Sequence, residues 1–140
     1  MIILDTNVLS ELMRPKPSPR VSAWIGQQAA TEVFTTAMTE AQIFYGIELL
    51  VKNKRREQLL AAADALFTED LAGRVLAFDS VAARVFSHIA AHRRGLGRPI
   101  SHADAQIAAV TQVQGARLAT RNTADFADCG VDLIDPWSTS

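Results

Sequence analysis

The chain opens Met1-Ile2-Ile3-Leu4-Asp5-Thr6-Asn7-Val8-Leu9-Ser10-Glu11-Leu12-Met13, and the reading of this stretch decides the fold. Ile2 to Leu4 form an uninterrupted apolar run, the pattern of a strand buried on both faces. Asp5, Thr6 and Asn7 stop it, and Val8, Leu9, Leu12 and Met13 then recur at helical spacing. The segment therefore predicts strand, turn and helix. A strand that buries both faces belongs to a sheet covered by helices on each side.

The same unit recurs downstream. Arg14 to Pro19 holds three of the five prolines and predicts a loop, after which Ser18 caps a helix with Pro19 at its first position, running through Trp24 and Ile25. Val33 to Thr36 predicts a second strand, feeding a helix from near Thr39 to about Asn53 with Ile43, Phe44, Ile47, Leu50 and Val51 on its apolar side. Lys54 to Leu71 predicts another helix, Val75 to Phe78 a third strand, and Asp79 or Ser80 the cap of a helix that ends at Gly95-Leu96-Gly97-Arg98-Pro99. Ser101 opens a helix closed by Gly115; Arg117 to Thr120 is a fourth strand, Asn122 caps a helical turn to Phe126, and Val131 to Ile134 is a fifth. Five short strands alternating with helices predict the α/β class, as one three-layer α/β/α domain over residues 1–140 with a five-stranded, mostly parallel sheet.

Composition narrows the function. The 140 residues are 49% hydrophobic and 21% charged, a globular balance that excludes disorder. No apolar run reaches the roughly 18 residues of a membrane span, and the first 13 residues lack the features of a signal peptide. A cytoplasmic protein is expected, and the single cysteine, Cys129, agrees. Basic residues number 14 against 15 acidic, so bulk charge does not drive nucleic-acid binding. Eleven of the 14 are Arg, the better phosphate fork, although codon bias also enriches Arg.

Ligands in parallel sheets bind beyond the carboxyl ends of the strands, so the residues there carry the argument. Asp5 follows the first strand, Glu40 begins the helix after the second, Asp104 lies in the first turn of the helix entering the fourth, and Asn122 and Asp125 follow it. Each has a structural alternative: Asp5 as an N-cap, Ser101 with Asp104 and Asn122 with Asp125 as capping boxes. Glu40 fits this alternative least, because it falls within about 40° of Phe44, Ile47 and Val51 on its helix, inside the apolar stripe. Two carboxylates about 4 Å apart repel by roughly 4 kcal/mol at an effective dielectric near 20. A hard divalent cation offsets this, and oxygen-only ligands suit Mg²⁺ or Mn²⁺. The chemistry so implied is metal-assisted phosphodiester hydrolysis.

Four blocks together carry a resemblance: residues 1–11; Thr39-Glu40 with Gly46; Arg98-Pro99-Ile100 with Asp104-Ala105-Gln106-Ile107-Ala108-Ala109; and Ala119-Thr120-Arg121-Asn122-Thr123-Ala124-Asp125-Phe126. In order and spacing they resemble PIN-domain ribonucleases, specifically VapC-type toxins of bacterial toxin-antitoxin pairs. The resemblance implies a Mg²⁺- or Mn²⁺-dependent endoribonuclease, a cytoplasmic homodimer, an RNA substrate and inhibition by a small cognate antitoxin. It implies that Asp5, Glu40 and Asp104 are the acidic metal ligands, supported by the polar side chains of Thr6, Asn7 and Thr120. The fourth acidic position stays open between Asn122, where many relatives carry Asp, and Asp125. With three acids neutralised by metal, the charge facing RNA is positive.

Other features weigh less. His88 and His92 sit at i, i+4, but Ile89 stands where H-E-x-x-H has Glu. His102 is a substrate-contact candidate or a solvated side chain, and Cys129 lacks a neighbouring base. The basic runs Lys52-Arg56 and Arg93-Arg98 either favour helix ends or track RNA phosphates, and Trp24 is either core or an interface residue. Two rival functions are an aspartyl-nucleophile phosphatase, which wants a second Asp where Asn7 stands, and a non-catalytic RNA- or antitoxin-binding module, in which Glu40 is expected to be lost first.

Overall fold

The computed structural model describes residues 1–138. Its elements are β1 (Ile2–Leu4), α1 (Thr6–Leu12), α2 (Pro19–Gly26), β2 (Val33–Thr36), α3 (Ala37–Glu48), α4 (Lys54–Ala65), β3 (Val75–Leu76), α5 (Ser80–Gly95), α6 (His102–Val113), β4 (Arg117–Ala119) and β5 (Asp132–Ile134). The strands lie in the order β3-β2-β1-β4-β5, and every pairing is parallel. The α/β expectation holds, with the sheet wholly parallel.

β1 is central because it can bury both faces. Ile2 and Leu4 point to one side, packing with Val8 and Leu9 of α1, Ile43 and Ile47 of α3, and Phe67 beyond α4. Ile3 points to the other, with Ile89 of α5, Ile107 and Val110 of α6, and Leu118 of β4. Trp24 is buried in the first cluster, which settles it as core. From β1 the chain steps outward through β2 and β3, then returns across the sheet to β4 on the opposite side of β1. The order reverses between β1 and β4, where the strand ends part and leave a crevice.

Several helix boundaries follow from caps legible in the sequence. Asp79 accepts from the Ala82 N–H and Ser101 from the Asp104 N–H, opening α5 and α6. Gly115, at φ +61, turns the chain out of α6 in a left-handed conformation that suits glycine.

Other boundaries move. α3 ends at Glu48, about a turn before the expected Asn53, leaving Leu50 and Val51 exposed. The reason is local: Asn53 caps α4 by accepting from the Arg56 N–H, while Arg56 donates to the Ile47 carbonyl and pairs with Glu48. The expected 54–71 helix is α-helical to Ala65 and widens into a π-helical turn over Leu66–Asp70, with the Leu71 N–H donating to the Leu66 carbonyl. β3 and β4 are shorter than expected, ending at Leu76 and Ala119. Among the described residues no helix is long and apolar enough to cross a membrane.

The second basic run is structural in part. Arg93 is 5% exposed and donates to the carbonyls of Arg98, Asp125 and Ala127, its guanidinium also lying 3.6 Å from Cys129 Sγ. Arg98 is held by Asp128. Arg93 is not free to follow a phosphate chain, whereas Arg98 stays half exposed. Removing the buried fork in Arg93→Ala orphans several carbonyls, so the variant is expected to lose about 3 kcal/mol of stability in urea unfolding, whereas Arg94→Ala next to it changes stability by less than about 0.5 kcal/mol.

Candidate active site

Asp5 leaves the central strand and begins α1. Its Oδ1 accepts from the Thr6 N–H at 2.8 Å, the N-cap role the sequence allowed. Its Oδ2 accepts from the Thr120 hydroxyl at 2.8 Å and from Asn7 Nδ2 at 3.2 Å. Asn7 Oδ1 in turn accepts from the Arg121 N–H, and Thr120 Oγ1 from the Asn122 N–H. Asn7 and Thr120 thus stitch the end of β1 to the end of β4 around the Asp5 carboxylate.

A second network joins α1 to α3. Thr36 caps α3 by accepting from the Thr39 N–H, and the Thr39 hydroxyl lies 3.2 Å from that of Thr6. The Thr6 hydroxyl donates to Gln42 Oε1. Thr36 and Thr39 are fully buried, so these bonds carry the cost of enclosing their hydroxyls.

Asp5, Asp104, Gln42 and Asn122 meet in one open cavity of about 720 Å³ at the β1/β4 crevice, with Arg121 and Trp137 also in its wall. Burial raises the carboxyl pKa of Asp5 above the ordinary range; the bonds from Thr120, Thr6 and Asn7 oppose the rise, and the charge of Asp125 adds to it. Burial also raises Asp104, and the negative charges of Asp5 and Asp125 push the same way, against the Ser101 bond and Arg93. Neither acid forms an ion pair among the described residues, although Arg14, paired with Glu11, and Arg121 also line the wall.

Two sequence expectations are corrected here. Glu40 is not among the residues lining this cavity; Gln42 is the α3 side chain that lines it. The stripe argument placed Glu40 inside the apolar face, whereas it is only half-buried and the stripe centres on Thr39, Ile43 and Ile47. Measured around the helix from Ile43, Glu40 falls about 60° to one side and Gln42 about 100° to the other, and the cavity is on the Gln42 side. The second correction concerns Asn122, whose side chain makes no capping bond to the turn that follows. It faces the cavity, while Asp125 is exposed outside the lining and acts on Asp5 and Asp104 only through its charge.

The sequence reading missed Gln42, Arg121 and Trp137. The available signal for Gln42 was the small residue Gly46 one turn on, both lining the side of α3 that faces α1. Arg121 places its guanidinium 4.9 Å over the Trp137 ring, a contact between residues 16 apart that no local motif announces. His88 and His92 are exposed on α5, His102 packs edge-on to Phe86, and the Cys129 thiol is buried and pushed up by that burial.

A donor set of two carboxylates, with the amide groups of Gln42 and Asn122 nearby, suits one hard cation completed by water and phosphate. Among the described residues no group of three or more His, Cys, Asp or Glu is arranged to hold a metal.

The comparisons with known proteins agree with this fold. The PIN domain family matches residues 2–130. The chain is 38% identical to the VapC ribonuclease Y4jK of Sinorhizobium fredii over 137 residues, covering 98% of each protein. It is 35% identical to Toxin FitB of Neisseria gonorrhoeae, covering 98% of this chain and 99% of that protein. Among solved structures it is similar to a chain of FitAB bound to a DNA fragment, with a TM-score of 0.93 at 34% identity, covering 100% of this chain and 98% of the other.

The raised carboxyls have a consequence for stability. An acid whose folded pKa lies above its unfolded value contributes its full stability below the unfolded value, 3.8 for Asp, and loses it as pH rises through the folded value. At pH 7 without divalent cation both acids therefore cost stability. Asp104→Asn is expected to raise the melting temperature at pH 7 by about 2 to 4 °C, the gain shrinking as pH falls toward 4. A lowered melting temperature at pH 7 contradicts this.

Proposed function

This chain belongs to the PIN-domain family, and on that premise we propose that it is a Mg²⁺- or Mn²⁺-dependent endoribonuclease, the toxin of a toxin-antitoxin pair. The observation that carries the reading is the pair of uncompensated carboxylates, Asp5 and Asp104, in one open cavity at the switch point of a parallel sheet. The names of the relatives, a ribonuclease and a toxin, support it. The working form is a cytoplasmic homodimer, held inactive by a small antitoxin.

Asp5 and Asp104 would hold the cation, with the Asn122 amide in the same cavity. When bound, it supplies a water of lowered pKa and stabilises charge on the phosphate oxygens. The protein's own residues do the positioning. Thr6, Asn7 and Thr120 aim the Asp5 carboxylate and fix it against rotation. Arg121, steadied over Trp137, presents a guanidinium fork to the RNA phosphate at the cavity wall. No covalent nucleophile is required.

The antitoxin surface we assign to the apolar groove beside the cavity, lined by Met13, Pro15, Ile43, Ile47, Leu50 and Leu59. Thr6, Ser10, Arg14 and Gln42 border both groove and cavity, so a segment lying in the groove reaches the acids. A second reading, a binding module without cleavage, is favoured by one observation: the α3 side chain that lines the cavity is the amide Gln42 and not the carboxylate Glu40.

Cleavage decides between them. Protein freed of antitoxin is expected to cleave RNA with Mg²⁺ or Mn²⁺ and to stop with chelator, and Asp5→Asn or Asp104→Asn to lose about 100-fold or more. Cleavage that survives both substitutions overturns the enzymatic reading. Arg121→Ala should raise KM about tenfold with little change in kcat. Leu50→Asp, at an exposed position in the groove, should weaken antitoxin binding about tenfold in calorimetry and leave cleavage intact.

A further inference from the structure

We propose that Gln42 sets the cation occupancy of the cavity: with an amide at this corner, the free protein holds one divalent cation loosely, and an RNA phosphate supplies the negative charge that tightens it. This rests on the metal-dependent reading above and goes beyond it by naming the residue that limits binding.

The argument begins with the address of Gln42. It borders both the cavity and the apolar groove, on the side of α3 facing α1. Its Oε1 accepts from the Thr6 hydroxyl, and Thr6 follows Asp5 directly, so the Gln42 head group is tied to the segment that carries the first acid. An amide so engaged has an NH₂ donor left over, which repels a cation, where a carboxylate at the same place attracts it. Glu40 does not make up the loss, since it lies outside the lining.

Of the charges in the cavity wall, Glu11 is committed to Arg14 and to the Ser18 N–H, which leaves the carboxylates of Asp5 and Asp104 with the single guanidinium of Arg121. Mg²⁺ and Mn²⁺ take about six oxygen ligands, so two carboxylates leave most positions to water or to substrate. A phosphodiester brings one more negative charge and ligating oxygens. Arg121 on the cavity wall is available to hold that phosphate, because Trp137 and not an acid is its partner. Cation and RNA therefore raise each other's affinity by the same factor.

Gln42→Glu preserves size, and its carboxylate still accepts from Thr6. The experiment is a Mn²⁺ titration followed by electron paramagnetic resonance or calorimetry on the wild type, Gln42→Glu, Glu40→Gln and Asp104→Asn. Each is measured alone and with a 2′-O-methyl RNA oligonucleotide that resists cleavage, with folding checked by circular dichroism. Expected is weak binding in the wild type, about tenfold or more tightening in Gln42→Glu, no change in Glu40→Gln and loss in Asp104→Asn. The oligonucleotide should tighten Mn²⁺ binding about tenfold in the wild type and clearly less in Gln42→Glu.

The failures separate. Equal Mn²⁺ binding by the wild type and Asp104→Asn overturns the metal site and this inference with it. Binding that depends on Asp104 but is unaltered in folded Gln42→Glu, or that Glu40→Gln weakens as much as Asp104→Asn does, overturns this inference alone.

Discussion

The structure turns on one buried carboxylate at the end of its central strand. Asp5 is 4% exposed, and three side-chain or backbone donors, from Thr6, Asn7 and Thr120, converge on its two oxygens. Those bonds start α1, join β1 to β4 and orient the polar edge of the cavity in a single arrangement. An anion is tolerated there because hydrogen bonds replace much of its lost hydration. What they do not replace is a counterion, which leaves the site receptive to a cation.

That constraint explains how the charges are deployed. Arg93 is buried against backbone carbonyls beneath the turn that follows β4, Arg98 is tied to Asp128, and Arg56 closes the α3–α4 corner. Basic runs that read as candidate tracks for RNA are in these positions structural braces. Of the two arginines lining the cavity, Arg14 is paired with Glu11, and Arg121 stands alone in sequence and is steadied by an aromatic ring. Formal net charge, −1, is therefore a poor guide to the potential RNA would meet.

Much was legible before any coordinates. Consecutive apolar runs of three or four residues predicted buried parallel strands, and caps such as Asp79 and Ser101 set helix starts, because both signals depend only on near neighbours. That Asp5 and Asp104 lie at the cavity was legible for the same reason: each sits next to a strand end or in a helix first turn. Glu40 misled because an angular position within a stripe says how deep a side chain lies, not which of the two flanks faces the ligand. The short end of α3 was hidden because it depends on Arg56 reaching back to Ile47 and Glu48.

By itself the amino-acid sequence determined the α/β alternation, the all-helical covering of a buried sheet, the Asp5 turn and the family. These are encoded in patterns a few residues long. Only the tertiary structure decided that Gln42 and not Glu40 meets Asp5 and Asp104, that Asn122 faces the cavity while Asp125 stays outside it, and that Arg121 finds Trp137. The physical reason is that a cavity between β1, β4 and α3 is defined by how α3 is rotated against the sheet. That rotation is set by Thr39, Ile43 and Ile47 packing across the whole core, a sum of distant contacts that no local stretch of sequence contains.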